Sequence, residues 1–477
     1  MMFSARVPHR DSRASLLFIV ALLVALAALA GCAGGPPLHR DKPPVEPGQQ
    51  TTPETQAPEE EVETIPEQPP IEEEAPLVDL GPALEAPVVV RAGIHWDQTR
   101  SSIATSREWT MTPSPRQPSR KVRGGELRAR ALNGNSVRLE TEAGHPIAEG
   151  PGPIRLSPGK DASFTIDDRH YRGDIELSAR DDSLFIVNVL PLEEYLRGVL
   201  PGEIGKRAPE ESEAVSAQAV AARTYVVKKL GQYAALPFDV FSSVQDQVYT
   251  GIDGENPVAD AALEKTEGLV LANGKGLLDA YYCSTCGGRT SDIAVVWPHR
   301  EAVESLRGVQ DGEGSQAWCR QSPHFEWTEF WSGDRLSELV RRHLPEQEGL
   351  GGTRVEGLLT DLEVDMDEES GRVREIVYKW KGGSASVPGD RNRWILRRPD
   401  NSILRSVRVN IQVEKAGEYV TRVVAQGHGN GHGVGMCQMG AIARARSGEG
   451  FRRILEAYYP GAQIRTLRGG DLPVARS

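Results

Sequence analysis

The chain has 477 residues and a formal net charge of −12. Residues 32–88 hold 13 Asp and Glu against 2 Lys and Arg, a net of −11, so the rest of the chain is close to neutral. Because no basic stripe runs through the sequence, a nucleic-acid partner is not expected, and the acidity belongs to one segment.

The N-terminus has the features of an export signal. Its first positive charges are Arg6, Arg10 and Arg13. An apolar run from Leu16 to Leu29 follows, and small residues then lead to Cys32. This pattern is typical of a secretory signal, and the run is short for a membrane span. An uncleaved signal anchor is the alternative interpretation. The segment Leu29-Ala-Gly-Cys32 resembles a bacterial lipobox, which implies an acylated Cys32, attachment to a membrane and an exported position in a bacterial envelope.

The next segments differ sharply in composition. From Gly35 to about Pro87, Pro, Glu, Gln and Thr dominate, and such a composition buries too little apolar surface to fold, which predicts an extended tether. Residues 88–180 instead contain short alternating runs between turn residues, and these predict strands. The clearest runs are 88–90, 136–140 and 163–166. We expect a small appended β domain or a β layer packed on the main body.

The sequence changes character near Ser183, where an apolar run to Leu190 predicts a buried strand. Pro191 can then open a helix, with Glu193 and Glu194 near its positive end. Pro201-Gly202 is expected to break this helix, which would leave Glu203 on the break. A second, alanine-rich helix is predicted from Pro209 to Leu230. Its long polar residues are Gln218, Arg223 and Tyr225.

Two blocks of this region resemble the stage II sporulation protein D family, which includes amidase enhancers. They are Pro191-Leu-Glu-Glu-Tyr-Leu-Arg-Gly-Val-Leu-Pro-Gly-Glu203 and Ala217-Gln-Ala-Val-Ala-Ala-Arg-Thr-Tyr225. The resemblance runs from about residue 180 to 466. It implies a lytic transglycosylase acting on peptidoglycan, with Glu203 in the position of the catalytic glutamate.

The chemistry of glycan cleavage is consistent with this role for Glu203. Breaking a glycosidic bond requires a carboxylic acid that protonates the leaving oxygen. A lytic transglycosylase manages with one carboxyl group, because the C6 hydroxyl of the sugar attacks and leaves a 1,6-anhydro product. A partly dry cleft would raise the pKa of Glu203 as this role requires. The alternative is a solvated surface charge, and helix-end stabilisation is the expected role of Glu193 and Glu194.

The cysteines predict either a metal site or disulfides. Cys283-x-x-Cys286, a long gap, and then Cys319-x₄-His324 supply the ligand count and types of a closed, structural zinc site. Some members of the stage II sporulation protein D family carry a similar arrangement of residues. In an oxidising compartment, Cys283 could instead pair with Cys286, leaving Cys319 to pair with Cys437 or stay free. Four unconnected buried cysteines are the third possibility.

A glycine-rich loop occupies residues 427–435, with glycine at every second position and His428 and His432 between. These glycines oppose a helix, so the histidines do not form a helical zinc pair, and no Gly-Lys-Ser/Thr ending indicates a phosphate loop. The segment resembles the C-terminal signature of the family, with Cys437 where serine is usual. We expect His428, His432 and Gln438 to bind sugar groups, or the loop to be purely structural.

Two arginines are candidates to bind the lactyl carboxylate of muramic acid. The resemblance assigns Arg223 to a family block and sets Arg307 where relatives carry a basic residue. A guanidinium can bind a carboxylate through two parallel hydrogen bonds. Surface salt bridging is an equally acceptable role for Arg307.

Together these features predict an α+β protein. The expected segments are a signal at 1–31, a tether at 32–87, a β-rich domain at 88–180, a catalytic domain at 181–466 and a tail at 467–477. Glu203, the alanine-rich helix, the cysteine segment and the glycine-rich loop should line a cleft. The expected activity is cleavage of MurNAc–GlcNAc bonds in glycan strands without stem peptides. The alternative is a glycan-binding protein that stimulates an N-acetylmuramoyl-L-alanine amidase without cutting.

Overall fold

The computed structural model describes residues 86–312 and 316–472. The predicted signal, Cys32, nearly all of the tether and the end of the tail lie outside these residues. Within the described ranges, no helix combines the length and the apolarity that crossing a bilayer requires. Attachment through Cys32 therefore stays a prediction.

The N-terminal part consists of strands, as predicted. Their bounds are Val89–Gln98 (β1), Arg100–Thr105 (β2), Trp109–Thr112 (β3), Arg120–Val122 (β4), Gly125–Leu132 (β5), Ser136–Thr141 (β6), Pro146–Gly150 (β7), Ile154–Ser157 (β8), Phe164–Ile166 (β9), Arg169–Tyr171 (β10), Asp174–Arg180 (β11) and Ser183–Pro191 (β12). One sheet has the order β10-β9-β2-β5-β6-β7. A second has the order β13-β1-β12-β11-β8-β3-β4, where β13 is Val240–Phe241.

Strand β12 links the β-rich part to the remainder of the chain. It pairs with both β1 and β11, so the predicted boundary at residue 180 runs through a continuous sheet. Its apolar run is unbroken because both faces are covered. Ile186 belongs to the main hydrophobic core and Val187 to a small core on the opposite face. The β-rich part is thus a layer that shares the main core, whereas the predicted division into domains stays a prediction.

The first helices follow directly. They are Leu192–Glu203 (α1), Ser212–Lys229 (α2), Pro257–Lys265 (α3) and Ile293–Val296 (α4). The expected helix break at Pro201-Gly202 is wrong, since α1 continues through Pro201 and ends at Glu203. Proline has no N–H to donate, so α1 lacks one backbone hydrogen bond at Pro201. The alanine-rich α2 is buried along most of its length, because its small side chains let neighbouring elements approach.

A second hydrophobic core lies within the predicted catalytic region, which the sequence did not indicate. Its elements are Glu326–Ser332 (β17), Gly333–His343 (α5), Leu359–Asp367 (β18), Arg372–Trp380 (β19), Gly383–Pro388 (β20), Asn392–Ile395 (α6), Val409–Ala416 (β21) and Tyr419–His428 (β22). They form sheets of order β17-β22-β21 and β18-β19-β20 around Trp331, Leu336 and Tyr378. The predicted catalytic region is therefore built around two cores.

The remaining elements belong to the part of the protein that packs around α2. They are Leu269–Asn273 (β14), Gly276–Leu277 (β15), Tyr282–Cys283 (β16), Met436–Cys437 (β23), Gln438–Arg446 (α7), Phe451–Tyr458 (α8) and Gln463–Thr466 (β24). Helices α7 and α8 are separate because Gly448 adopts a positive φ of 92° and ends α7. Helices and strands pack together throughout, and the α+β fold class is confirmed.

Candidate active site

Glu203 is the last residue of α1, and its carboxyl group is held by backbone rather than by a cation. The Val248 N–H donates a hydrogen bond to Glu203 Oε1 at 2.6 Å. Burial raises the pKa of Glu203 from 4.5 to about 7, against the lowering effect of the Val248 hydrogen bond. Glu203 has no ion pair among the described residues. A partly buried acid in this state can carry a proton near neutral pH.

The Glu203–Val248 contact requires glycine in α1. A side chain at Gly202 would place its Cβ 2.5 Å from Val248 O, and one at Gly198 would lie 2.6 Å from the Tyr249 ring. Two glycines four residues apart lie on the same helix face, so the segment after Val248 packs directly on the α1 backbone. The Pro201-Gly202-Glu203 sequence therefore stays helical and lets the Val248 N–H approach closely enough to bind Glu203.

The segment that carries Val248 is anchored by Asp246. Tyr225 and Tyr233 donate their hydroxyls to Asp246 Oδ1 at 3.0 and 3.1 Å, and Phe241 N–H donates to Oδ2 at 2.9 Å. Tyr225, a predicted substrate ligand, therefore uses its hydroxyl within the protein. Asp246 fixes the backbone that positions the partner of Glu203.

Two glutamines join the other expected elements of the site. Gln247 Nε2 donates to Ala222 O in α2 and to the Tyr282 hydroxyl of β16, both at 3.1 Å. Gln438 Nε2 donates to Gln218 Oε1 at 3.3 Å, which connects the end of the glycine-rich loop to α2. The Gln218 Nε2 group is buried and has no hydrogen-bond partner among the described residues. These contacts bring the elements together as predicted.

A cleft at Glu203 stays a prediction. A cavity of about 310 Å³ lies elsewhere, in the β-rich part, against Arg91, Glu176 and Phe185.

The glycine-rich loop packs against the Tyr281–Cys286 segment through bare backbone. Gly429, Gly431, Gly433 and Gly435 all have positive φ, from 69° to 105°. A Cβ on Gly429 would collide with Thr285 O, and a Cβ on Gly435 would collide with Tyr281 O. The parallel pairing of β16 with β23 depends on this close approach. The loop is a structural joint, whatever its histidines bind.

The two histidines of this loop have different surroundings. His432 Nδ1 accepts a hydrogen bond from Val434 N–H at 3.0 Å, and its ring lies 5.1 Å from that of Trp297. Burial lowers the pKa of His432 to about 4, so the ring is neutral at pH 7. His428 ends β22 and lies against Phe325, and burial and the nearby Arg408 lower its pKa. Sugar binding by either histidine stays a prediction.

The structure gives Arg223 a different role from the predicted one. Arg223 is fully buried and donates from Nε and Nη2 to both oxygens of Glu193, each at 2.7 Å. It also donates to Leu269 O at 3.1 Å, so its fork is occupied inside the protein. Glu193 is thereby the partner of Arg223 as well as a first-turn acid, while Glu194 pairs with Arg172 at 3.0 Å. A buried pair joining α1 to α2 replaces the expected carboxylate ligand.

Arg307 fits the alternative interpretation of a surface salt bridge. Its side chain is 56% exposed and pairs with Glu304 at 2.9 Å. Such an exposed pair contributes little to stability and leaves the guanidinium accessible.

The structure does not bring together the predicted set of zinc ligands. The group that it assembles is Cys286, Asp311, Cys319 and Cys437, whose ligand atoms lie within 4.8 Å of one another. Cys283 is buried outside this group, against Gly431, and His324 is also outside it. Cys283 belongs to β16 whereas Cys286 follows it, so the two side chains reach different neighbours. The four cysteines are free thiols, so neither predicted disulfide is formed.

Sequence reasoning missed the Asp246–Val248 segment and Asp311. Both lie in loops without periodic patterning, and a single acid among polar residues gives no signal of a buried role. Only their tertiary partners distinguish them.

The first prediction concerns the stability of the Glu203→Gln variant. A raised pKa in the folded state stabilises the protein fully below the unfolded pKa, and this stabilisation is lost as pH rises through about 7. Glutamine does not ionise and can still accept from Val248. Urea unfolding should therefore show the variant gaining up to about 3 kcal/mol over wild type between about pH 4 and about pH 8. A difference in stability between the variant and wild type that does not change with pH would contradict the burial of the Glu203 carboxyl group.

A second prediction tests the buried Arg223–Glu193 pair. Replacing Arg223 by Met removes three hydrogen bonds and leaves a half-buried carboxylate without its partner. Because Glu193 retains some contact with water, we expect a loss of about 2 to 4 kcal/mol in the free energy of unfolding. The exposed Arg307→Met variant is the control, with a change below about 0.5 kcal/mol. Equal stability of both variants would mean that Arg223 is not structural.

Comparison with known proteins agrees with this architecture. Residues 180–272 match the family described as stage II sporulation protein. An uncharacterized protein of Brachyspira hyodysenteriae is 28% identical over 307 residues, which are 63% of this chain and 74% of the relative. The amidase enhancer of Bacillus subtilis is 30% identical over 56% of this chain and 40% of its own length. Stage II sporulation protein D of Bacillus subtilis is 25% identical over 58% of this chain and 75% of its own length.

The matched residues contain the end of β11, all of α1 and α2, and the Asp246–Val248 segment, so they include Glu203 and the contacts that hold it. The resemblance predicted from the sequence blocks is confirmed, and the chain carries a domain of the stage II sporulation protein family at residues 180–272.

Proposed function

We propose that this protein is a lytic transglycosylase that cleaves MurNAc–GlcNAc bonds of peptidoglycan glycan strands, preferentially strands without stem peptides. The observation that carries the proposal is the state of Glu203. Its carboxyl group is partly buried, its pKa is raised to about 7, and within residues 86–312 and 316–472 its hydrogen-bond donor is the Val248 backbone N–H. A general acid for a glycosidic oxygen requires these properties.

Glu203 would act twice in the reaction. As the neutral acid it donates its proton to the leaving oxygen while the C1–O bond breaks. As the carboxylate it then accepts the proton of the C6 hydroxyl, whose oxygen bonds to C1 and closes the 1,6-anhydro ring. The proton lost in the first step is recovered in the second, so no water and no second carboxylate are needed. Val248 N–H stabilises the carboxylate between the two steps.

The neighbouring acids support a single-carboxylate mechanism. Glu193 pairs with Arg223, Glu194 pairs with Arg172, and Asp246 accepts from two tyrosines. Each of these carboxyl groups is therefore occupied by partners within the protein. The Gln218 and Gln438 amides provide neutral groups of the kind that bind sugar hydroxyls or acetamido groups.

The second candidate function is glycan binding that stimulates an amidase without cleavage. It is favoured by the similarity to a relative named amidase enhancer, which is 30% identical. A binding protein has no use for a raised pKa at Glu203, and this difference allows the two functions to be separated by one substitution.

The proposal includes a position in the bacterial envelope, with Cys32 as the lipid-bearing residue and the tether as spacer. It also includes a zinc ion in a structural role at the Cys/Asp group.

The third prediction tests catalysis by Glu203. Glu203→Gln should abolish anhydro-muramic products from denuded glycan strands, measured by mass spectrometry, while glycan pull-down remains unchanged. Removal of a catalytic acid costs at least about 100-fold in rate. Glu210→Gln, at an exposed acid ahead of α2, is the matched control and should keep full activity. Wild-type binding without any anhydro product would favour the amidase-enhancer function instead.

A fourth prediction follows from the pKa of Glu203. Bond cleavage needs the protonated acid, so kcat/KM for product formation should be constant in acid and fall about tenfold per pH unit above about 7. A rate that rises through this range would require another group as the acid.

A further inference from the structure

Four side chains from separate segments converge at a buried point. Cys286 follows β16, Asp311 and Cys319 lie in the loops before β17, and Cys437 ends β23. Cys286 Sγ lies 3.7 Å from Cys319 Sγ and 3.2 Å from Asp311 Oδ2. In a tetrahedral zinc site with Zn–S bonds of about 2.3 Å, two sulfurs are about 3.8 Å apart. The sulfur separation fits a shared metal and is far longer than a disulfide bond of about 2 Å.

The surrounding groups orient these four side chains as ligands. Cys437 Sγ accepts hydrogen bonds from the N–H groups of Cys286 and Gly440, at 3.2 and 3.4 Å. Asp311 Oδ1 accepts from the Tyr458 hydroxyl at 2.8 Å and from Arg444 at 3.4 Å, which leaves Oδ2 directed to the sulfurs. Donors to thiolates and to the outer carboxylate oxygen are typical of the surroundings of a metal site.

An independent observation is a buried positive charge. Arg372, at the start of β19, is 0% exposed, and its three guanidinium nitrogens have no hydrogen-bond partner among the described residues. It packs on Gly433, and burial lowers its pKa, against the opposing effects of Cys283, Asp390 and Cys286 in that order. Its backbone bridges to that of Arg408, whose guanidinium donates to Gly287 O, next to Cys286. The one nearby carboxylate that interacts with Arg372, Asp390, is already paired with Arg393 at 3.1 Å.

Burying an arginine without a counter-charge costs several kcal/mol. Neutral thiols and a neutral disulfide both leave Arg372 and Arg408 unbalanced.

We infer that Cys286, Asp311, Cys319 and Cys437 bind one divalent metal, of which zinc is the best match, and that Arg372 and Arg408 balance the charge of this centre. Three thiolates, one carboxylate and a dication carry a net charge of minus two. Arg372 and Arg408 offset this charge, together with Arg444, which lies 3.4 Å from Asp311 Oδ1 and also pairs with Glu449. Binding releases three thiol protons to solvent and involves no oxidation. The centre joins the segment after β16, the segments that carry Asp311 and Cys319, and the start of α7.

This inference gives ligands to the zinc part of the proposed function but does not depend on glycan cleavage. Its primary test uses the unmodified chain. Elemental analysis should find one zinc per chain, and X-ray absorption at the zinc edge should show three sulfur neighbours and one oxygen, without the scattering pattern of an imidazole. A metal-free protein, a disulfide detected by mass spectrometry, or an imidazole ligand would overturn the inference.

Serine variants identify the ligands. Cys437→Ser should lose the zinc or exchange it far faster with a chelator, whereas Cys283→Ser, at a buried cysteine outside the group, should keep it. The opposite result would restore the ligand set expected from sequence spacing. If Cys437→Ser fails to fold, two other measurements give the same decision. Asp311→Asn should lose the oxygen neighbour of the metal, and the wild-type absorption spectrum counts that neighbour directly.

Variants of Arg372 test the charge balance. Arg372→Met should weaken zinc affinity by about 10- to 100-fold in chelator competition, and Arg372→Lys should restore much of it, since groups around the ligands commonly have effects of this size. Arg374→Met, two residues along β19 and partnered by Asp367, is the matched control and should not change affinity. Equal affinity of the Arg372→Met and wild-type proteins would overturn the assigned role of Arg372.

Discussion

The close contact between the glycine-rich loop and the Tyr281–Cys286 segment is the constraint on which much of the remaining structure depends. Four glycines with positive φ remove the side chains that would separate two backbones, and β23 can then pair with β16. This pairing brings Gln438 to Gln218 in α2 and Cys437 to Cys286. The C-terminal part of the chain thereby reaches elements that precede it by more than a hundred residues. No hydrophobic pattern in the sequence specifies this contact between two backbones, because it depends on glycines that have no side chain.

Charged groups inside the protein are accommodated in three different ways. Arg223 is paired with Glu193 through two hydrogen bonds, so each charge is compensated. Glu203 has no cationic partner in the described part of the chain, and its burial is accommodated by a raised pKa that allows the neutral acid. The Arg372 guanidinium has no hydrogen-bond partner among the described residues, and the proposed metal centre would compensate its charge. The same physical cost, desolvation, thus underlies a structural pair, a candidate acid and a candidate metal centre.

The sequence located Glu203 and the helices beside it because their signals are local. A helix-starting proline, two first-turn acids and an alanine-rich run are contiguous, and each is interpretable without knowledge of distant residues. The sequence could not show that α1 continues through Pro201, since that depends on packing of Gly198 and Gly202 against Val248 and Tyr249. It also assigned Arg223 to substrate, although the acid that occupies it, Glu193, lies thirty residues earlier, in the first of the two family-like blocks.

By itself, the sequence determined the α+β class, the strands of the N-terminal layer and the positions of α1 and α2, because periodicity and turn residues act over a few neighbours. The two motif blocks at 191–203 and 217–225 carried the family resemblance. Only the tertiary structure decided that β12 joins the layer to the main core, that a second core lies between β17 and β22, and that Asp311 and Cys437 replace Cys283 and His324 around the cysteine group. Those outcomes depend on contacts between residues far apart in the chain, where spacing carries no information about distance.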